Sequence, residues 1–60
     1  MKKFYVSDRR NGTVEIFTDI ERLTSYLAPR CISLSMVIDD IALEGRCIID
    51  CLEITMAIEG

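Results

Sequence analysis

The stretch Cys47-Ile48-Ile49-Asp50-Cys51-Leu52-Glu53-Ile54-Thr55-Met56-Ala57-Ile58 decides what kind of fold this chain adopts. It satisfies two templates. Leu52, Ile54, Met56 and Ile58 alternate with their neighbours, the period of two of a strand with one buried face. Ile32, Leu34, Met36 and Ile38 alternate in the same way, so a second β-hairpin within residues 31–58 is one reading. Joining the two runs by a two-residue turn at Glu44-Gly45 sets Asp39 opposite Asp50, and like charges facing across a ladder are unfavourable. The helical template sorts the polar residues better. Arg46, Asp50, Glu53, Ala57 and Gly60 recur at spacings of three and four and form one narrow stripe in an otherwise apolar segment. Leu34, Val37, Ile38 and Ile41 form a stripe of their own, with Asp39, Asp40 and Glu44 opposite. Ser33 or Ser35 is placed to cap that helix, and Gly45 to end it or to lie within a longer one. On this basis the sequence predicts helices at 34–44 and 46–58, or one long helix.

Upstream, residues 3–18 read as a β-hairpin. Phe4-Tyr5-Val6 and Val14-Glu15-Ile16-Phe17-Thr18 are rich in β-branched and aromatic residues, and Asn11-Gly12 between them signals a turn. A three-residue loop closed by Arg9 and Thr13, with Gly12 in the left-handed region, sets Val6 opposite Ile16 and Asp8 opposite Val14. Phe4, Val6, Val14 and Ile16 then line one face, and Tyr5 and Phe17 pair on the other. Thr18-Asp19-Ile20-Glu21 has the spacing of a capping box. Ile20, Leu23 and Leu27 give the following segment an apolar face, and Pro29 stops it, pushing Ala28 out of helical geometry. A helix is predicted at 19–28. Since an isolated hairpin is not stable in water, it must pack on helices. The expected class is α+β, a single domain over 1–60 with an N-terminal antiparallel hairpin, a short helix and a C-terminal helical layer.

Composition narrows the function. Sixty residues, half of them apolar, leave room for one core and no second domain. A chain of this size buries only about 60% of the surface it exposes when unfolded. There is no His, so the commonest general base and metal ligand are missing and no Ser-His-Asp or Cys-His arrangement can be built. Gly12, Gly45 and Gly60 are too far apart for a phosphate-cradling loop. We expect no enzyme, no cofactor and no metal. Cys31, Cys47 and Cys51 are an odd number, which argues against a closed disulfide framework. Met1-Lys2-Lys3 does not lead into a secretory signal, so the thiols point to a reducing cytoplasm. On a helix Cys47 and Cys51 share a face, as a redox or metal pair would, or as two small core residues. No apolar run approaches the roughly 18 residues that cross a membrane.

Charge is divided between the halves. Residues 1–30 carry six basic and four acidic side chains, a balance of +2, whereas residues 31–60 carry Arg46 against six acids, a balance of −5. The acidic candidates are Asp39, Asp40, Glu44, Asp50 and Glu53, a set that could mimic a row of phosphates at a basic groove. The basic candidates are Arg9 and Arg10 at the hairpin tip, suited to a phosphate backbone or an acidic surface. Tyr5, Phe17 and Tyr26 are candidates for an aromatic patch. A last helix that is apolar nearly all round has to be buried nearly all round. Ile48, Leu52 and Met56 are accordingly expected to form a homodimer interface.

The reading that follows is a non-catalytic acidic protein-binding module whose partner is a larger protein or complex with a basic surface. Size, acidity and the lack of catalytic groups suit the kind of phage or mobile-element inhibitor that blocks host nucleases or CRISPR complexes. One alternative is a small dimeric nucleic-acid-binding regulator that uses Arg9 and Arg10. Another is a structural or assembly subunit. Direct nucleic-acid contact is the weaker expectation, because an acidic half does not attract phosphate. No membrane association is expected.

Overall fold

The computed structural model describes residues 2–58. The elements run β1 (Lys2–Asp8), β2 (Thr13–Phe17), α1 (Ile20–Leu27), α2 (Leu34–Glu44), β3 (Cys47–Ile49) and β4 (Leu52–Ile58). The strands make one antiparallel sheet in the order β2-β1-β4-β3. The class is α+β, built from an N-terminal hairpin, two helices and a further hairpin. The helices lie against one face of the sheet. The core beneath them is Phe4, Val6, Leu23, Leu27, Ile32, Val37, Cys47, Leu52 and Ile54, with Phe17, Tyr26, Leu34, Ile41, Ile49 and Met56 packed at its margin.

The largest departure from expectation is at 46–58, where a hairpin replaces the helix. β3 and β4 are joined by Asp50-Cys51, with Ile49 opposite Leu52 and Asp50 at φ +55. Asp is one of the few non-glycine residues that tolerates that conformation. The stripe Arg46, Asp50, Glu53 and Ala57 therefore has no helical meaning, and Gly60 lies outside the described residues. What favours extension is β1, which pairs with β4 over seven residues from Lys2↔Ile58 to Asp8↔Leu52. A seven-residue ladder on a central strand outweighs a local helical pattern. The alternation of Leu52, Ile54, Met56 and Ile58 was the informative signal, although the turn lies at Asp50-Cys51 and not at Glu44-Gly45.

The first hairpin is present in a different register. Asp8 pairs with Thr13 around a four-residue loop, so Phe4 faces Phe17 and Tyr5 faces Ile16. The Asp8 carboxylate accepts from the Arg10 backbone N–H at 2.9 Å and from Asn11 Nδ2 at 3.2 Å. Gly12, at φ +69, donates its N–H to the Asp8 carbonyl at 2.8 Å. This Asx-type turn stabilises the longer loop. The one-residue slip exchanges every β2 side chain between faces. Phe17 goes to the helix side, while Val14 and Ile16 go to the open face with Tyr5.

α1 starts one residue later than predicted, because Asp19 and not Thr18 is the N-cap: its Oδ1 accepts from the Glu21 N–H at 2.9 Å. Ala28 is not expelled from helical geometry. It stays at φ −56, ψ −46 and opens a 3-10 turn, Ala28–Arg30, that holds Pro29 near its start and ends at Cys31 with φ +58. Pro fits there because the first positions of such a turn need no N–H partner. α2 has the predicted bounds, 34–44. Gly45, at φ +84, ends it by donating its N–H to the Ile41 carbonyl at 2.8 Å.

Candidate functional site

Three surfaces remain once the core is packed. The first is the outer side of α2. Val37 is its one fully buried residue, with Leu34 and Ile41 half-buried. Ile38, expected inside, is 42% exposed, Met36 is 39% exposed and Leu43 is 84% exposed. Ala42 and the Asp39 carboxylate are exposed among them. Side chains three or four apart on a helix are neighbours, so Ile38 adjoins Ala42, and Asp39 adjoins both Ala42 and Leu43. This is an apolar surface with acid set into it.

The five acidic candidates do not form one row. Asp39 is on this outer side, whereas Glu44, the last residue of α2 and seven positions on from Val37, is exposed at the helix end in line with the core-facing stripe. Asp40 is half-buried and accepts from the Cys47 thiol, Sγ to Oδ2 3.5 Å, fastening α2 to β3. Burial pushes the Cys47 thiol above its ordinary value, and the neighbouring Asp40 carboxylate adds to the effect. Glu53 lies on the open sheet face, where Arg46 Nη1 approaches its Oε2 at 3.8 Å. Asp50 is in the turn at the far end of the second hairpin.

The second surface is a cleft where both hairpin ends meet the 3-10 turn. It has a volume of about 140 Å³ and is lined by Asp8, Arg10, Asn11, Arg30, Asp50, Cys51 and Leu52. The Arg9 N–H donates to the Cys51 carbonyl at 2.9 Å, and Arg10 Nη2 lies 3.4 Å from Cys51 Sγ. Arg10 is held above its ordinary value. The hydrogen bond to the Cys51 sulfur and the electrostatic contribution of that residue come first, followed by Asp50 and Asp8. Of the two basic candidates, Arg10 engages the cleft through its side chain while staying exposed, and Arg9 through its backbone N–H. Arg30, which sequence reasoning did not attach to this place, also stacks on the Tyr26 ring at 4.3 Å. Two arginines and two aspartates balance the charge of the cleft. Its volume is below the roughly 300 Å³ at which ligand pockets begin.

The third surface is the open sheet face with Tyr5, Val14, Ile16 and Ile48. Val14 is 61% and Ile16 58% exposed. The expected aromatic patch is split: Phe17 packs on Tyr26 on the helix side, ring centroids 5.2 Å apart, while Tyr5 is on the open side. The expected interface is split too. Leu52 is buried in the core, Met56 is half-buried against it, and Ile48 projects from the opposite face. Cys47 is in the core and Cys51 in the cleft, so the two thiols share no face. The signal for the α2 surface was in the sequence: Met36, Ala42 and Leu43 fall outside the stripe assigned to burial.

No helix is long and apolar enough to cross a membrane among the described residues. No family model matches the chain, and no curated protein or solved structure is similar to it.

Proposed function

We propose that this chain is a non-catalytic protein-binding module that docks through the outer face of α2 onto an apolar surface edged with Lys and Arg. The observation that carries the reading is Leu43, 84% exposed near the end of a helix whose other outward residues include Met36, Ile38, Ala42 and Asp39. A large apolar side chain so fully exposed adds little to the packing of the core. A contiguous patch of that kind, set with charge, has the anatomy of a recognition site. Asp39 within the patch, and Glu44 exposed at the helix end beside it, supply charge complementary to a basic partner and steer its approach. A basic surface on a nucleic-acid-handling complex suits this chemistry. The narrower proposal is therefore an inhibitor of the phage or mobile-element kind directed at host nucleases or CRISPR complexes.

The test is capture of partners from a host lysate on the full chain, followed by identification and binding measurements with the purified partner. Leu43→Lys, and separately the pair Asp39→Ser and Glu44→Ser, should abolish or strongly weaken binding, with circular dichroism unchanged. Added salt should slow association. Binding that is indifferent to both variants sinks the reading.

A further inference from the structure

A different element carries a second interaction, with a partner that the charges themselves identify. β2 has a sheet neighbour on one side only, since it ends the order β2-β1-β4-β3. Asp19, two residues past its end, is also extended, at φ −115, ψ 121. Natural edge strands are blunted by Pro, Lys, a bulge or shortness. Thr13-Val14-Glu15-Ile16-Phe17 has no Pro and no Lys, carries Glu15 as its one charged side chain, and pairs with β1 without a bulge. The other edge, β3, is only three residues long. Val14 and Ile16 stand more than half exposed on the face that no helix covers.

We infer that β2 pairs antiparallel with β2 of a second copy of this chain, joining two four-stranded sheets into one of eight strands. A two-fold axis at Ile16 sets Ile16 on Ile16 of the other copy. It also sets Val14 against Thr18, Glu15 against Phe17, and Thr13 against Asp19. Centring the pair on Glu15 would instead oppose two carboxylates, which is unfavourable. The charges flanking the strand argue for a second copy over a foreign strand. Arg9 precedes β2, while Asp19 and Glu21 follow it; Arg10 is engaged on the other side by Cys51. Antiparallel self-pairing reverses one copy, so each basic loop comes alongside the other copy's acidic helix start, and this happens twice. An isologous interface requires that self-complementarity. The inference does not rest on the α2 reading, which uses another face of the molecule.

Analytical ultracentrifugation of the full chain tests it. The wild-type chain should show a reversible, concentration-dependent dimer, and Ile16→Lys should be monomeric. Arg9→Glu alone and Glu21→Arg alone should each weaken the dimer by roughly tenfold, since two exposed ion pairs are lost at once. The double variant Arg9→Glu, Glu21→Arg should recover it. The two charge substitutions lie outside the strand, so they decide the matter even if Ile16→Lys unfolds. A wild-type chain that stays monomeric at every concentration overturns the inference. So does a dimer unchanged by a folded Ile16→Lys, or a double variant weaker than either single one.

Discussion

α1 and α2 cross the same face of the same sheet and use it in opposite ways. α1 is amphipathic: Leu23 and Leu27 are fully buried and Tyr26 half-buried, while Glu21, Arg22, Thr24 and Ser25 face water, and Ile20 in its first turn is its one exposed large apolar side chain. α2 fully buries Val37 alone and turns Met36, Ile38, Ala42 and Leu43 outward. A helix selected only for its contribution to the core resembles α1. The exposed Met36, Ile38 and Leu43 on the outer side of α2 have no counterpart on α1 beyond Ile20, and the proposed docking surface rests on that difference.

The sharpest way to break this contrast is to truncate one leucine on each helix. Leu27→Ala should cost about 2–5 kcal/mol, because a cavity is left among packed neighbours. In a domain whose total stability is expected at about 3–9 kcal/mol, that leaves much of the chain unfolded. Leu43→Ala should change stability by no more than about 0.5 kcal/mol, as for other exposed positions. Urea denaturation of both variants checks this. A large loss at Leu43 would mean that the outer side of α2 belongs to the core after all.

The helix starts differ as well. The Asp19 carboxylate accepts from the Glu21 N–H, whereas Ser33 occupies the N-cap of α2 without capping it and its Oγ pairs instead with Ser35 Oγ at 2.8 Å. Asp19→Ala should therefore cost about 1 kcal/mol, the usual effect of losing a bonded cap. Ser33→Ala should be measurably milder, since no backbone donor loses its partner. Thermal melts of the two variants compare them directly. Equal losses would show that Ser33 caps α2 in solution and that the helices start alike.

Both helices were legible in the sequence because their signals are local. Asp19, the Ile20-Leu23-Leu27 spacing, the α2 stripe and Gly45 all act within a few residues of the structure they specify. The first hairpin was legible as an element but not in register. Arg10-Asn11-Gly12 and Arg9-Arg10-Asn11-Gly12 differ by one residue, and the choice rests on which donors the Asp8 carboxylate reaches. The second hairpin was hidden for two reasons. Its turn has no Gly or Pro, since Asp50 takes the positive φ that usually signals one. Its stability also comes from β1, more than forty positions away in the chain. No local pattern reports that pairing, although Ile48, Ile49, Ile54, Thr55 and Ile58 have the β-branched character of strands. The α2 surface was half legible. Asp39 and Glu44 were singled out, but the exposed apolar residues around them emerged only when Val37, and not Ile38, proved to face the core.

The smallest expected effect tests how α2 is fastened at its acidic side. Cys47 is fully buried and donates to Asp40, and its thiol titrates above its ordinary value, chiefly because burial disfavours the thiolate. A raised folded-state value means that the native state holds this proton more tightly than the unfolded chain. The contribution to stability is then complete below the unfolded thiol's value of about 8.5 and is lost as the pH rises through the folded one. Melting temperatures of the wild-type chain should decline through the alkaline range more steeply than those of Cys47→Ala, whose overall stability is lower but whose slope lacks this thiol. The remaining ionisable groups are common to both chains and cancel in the difference. Asp40→Asn should keep most of the steep decline, because burial is the larger cause and the carboxylate the smaller. Parallel slopes for wild type and Cys47→Ala would show that the thiol is not enclosed. The contact between α2 and β3 would then be looser than the firmly packed Leu23 and Leu27 beneath α1.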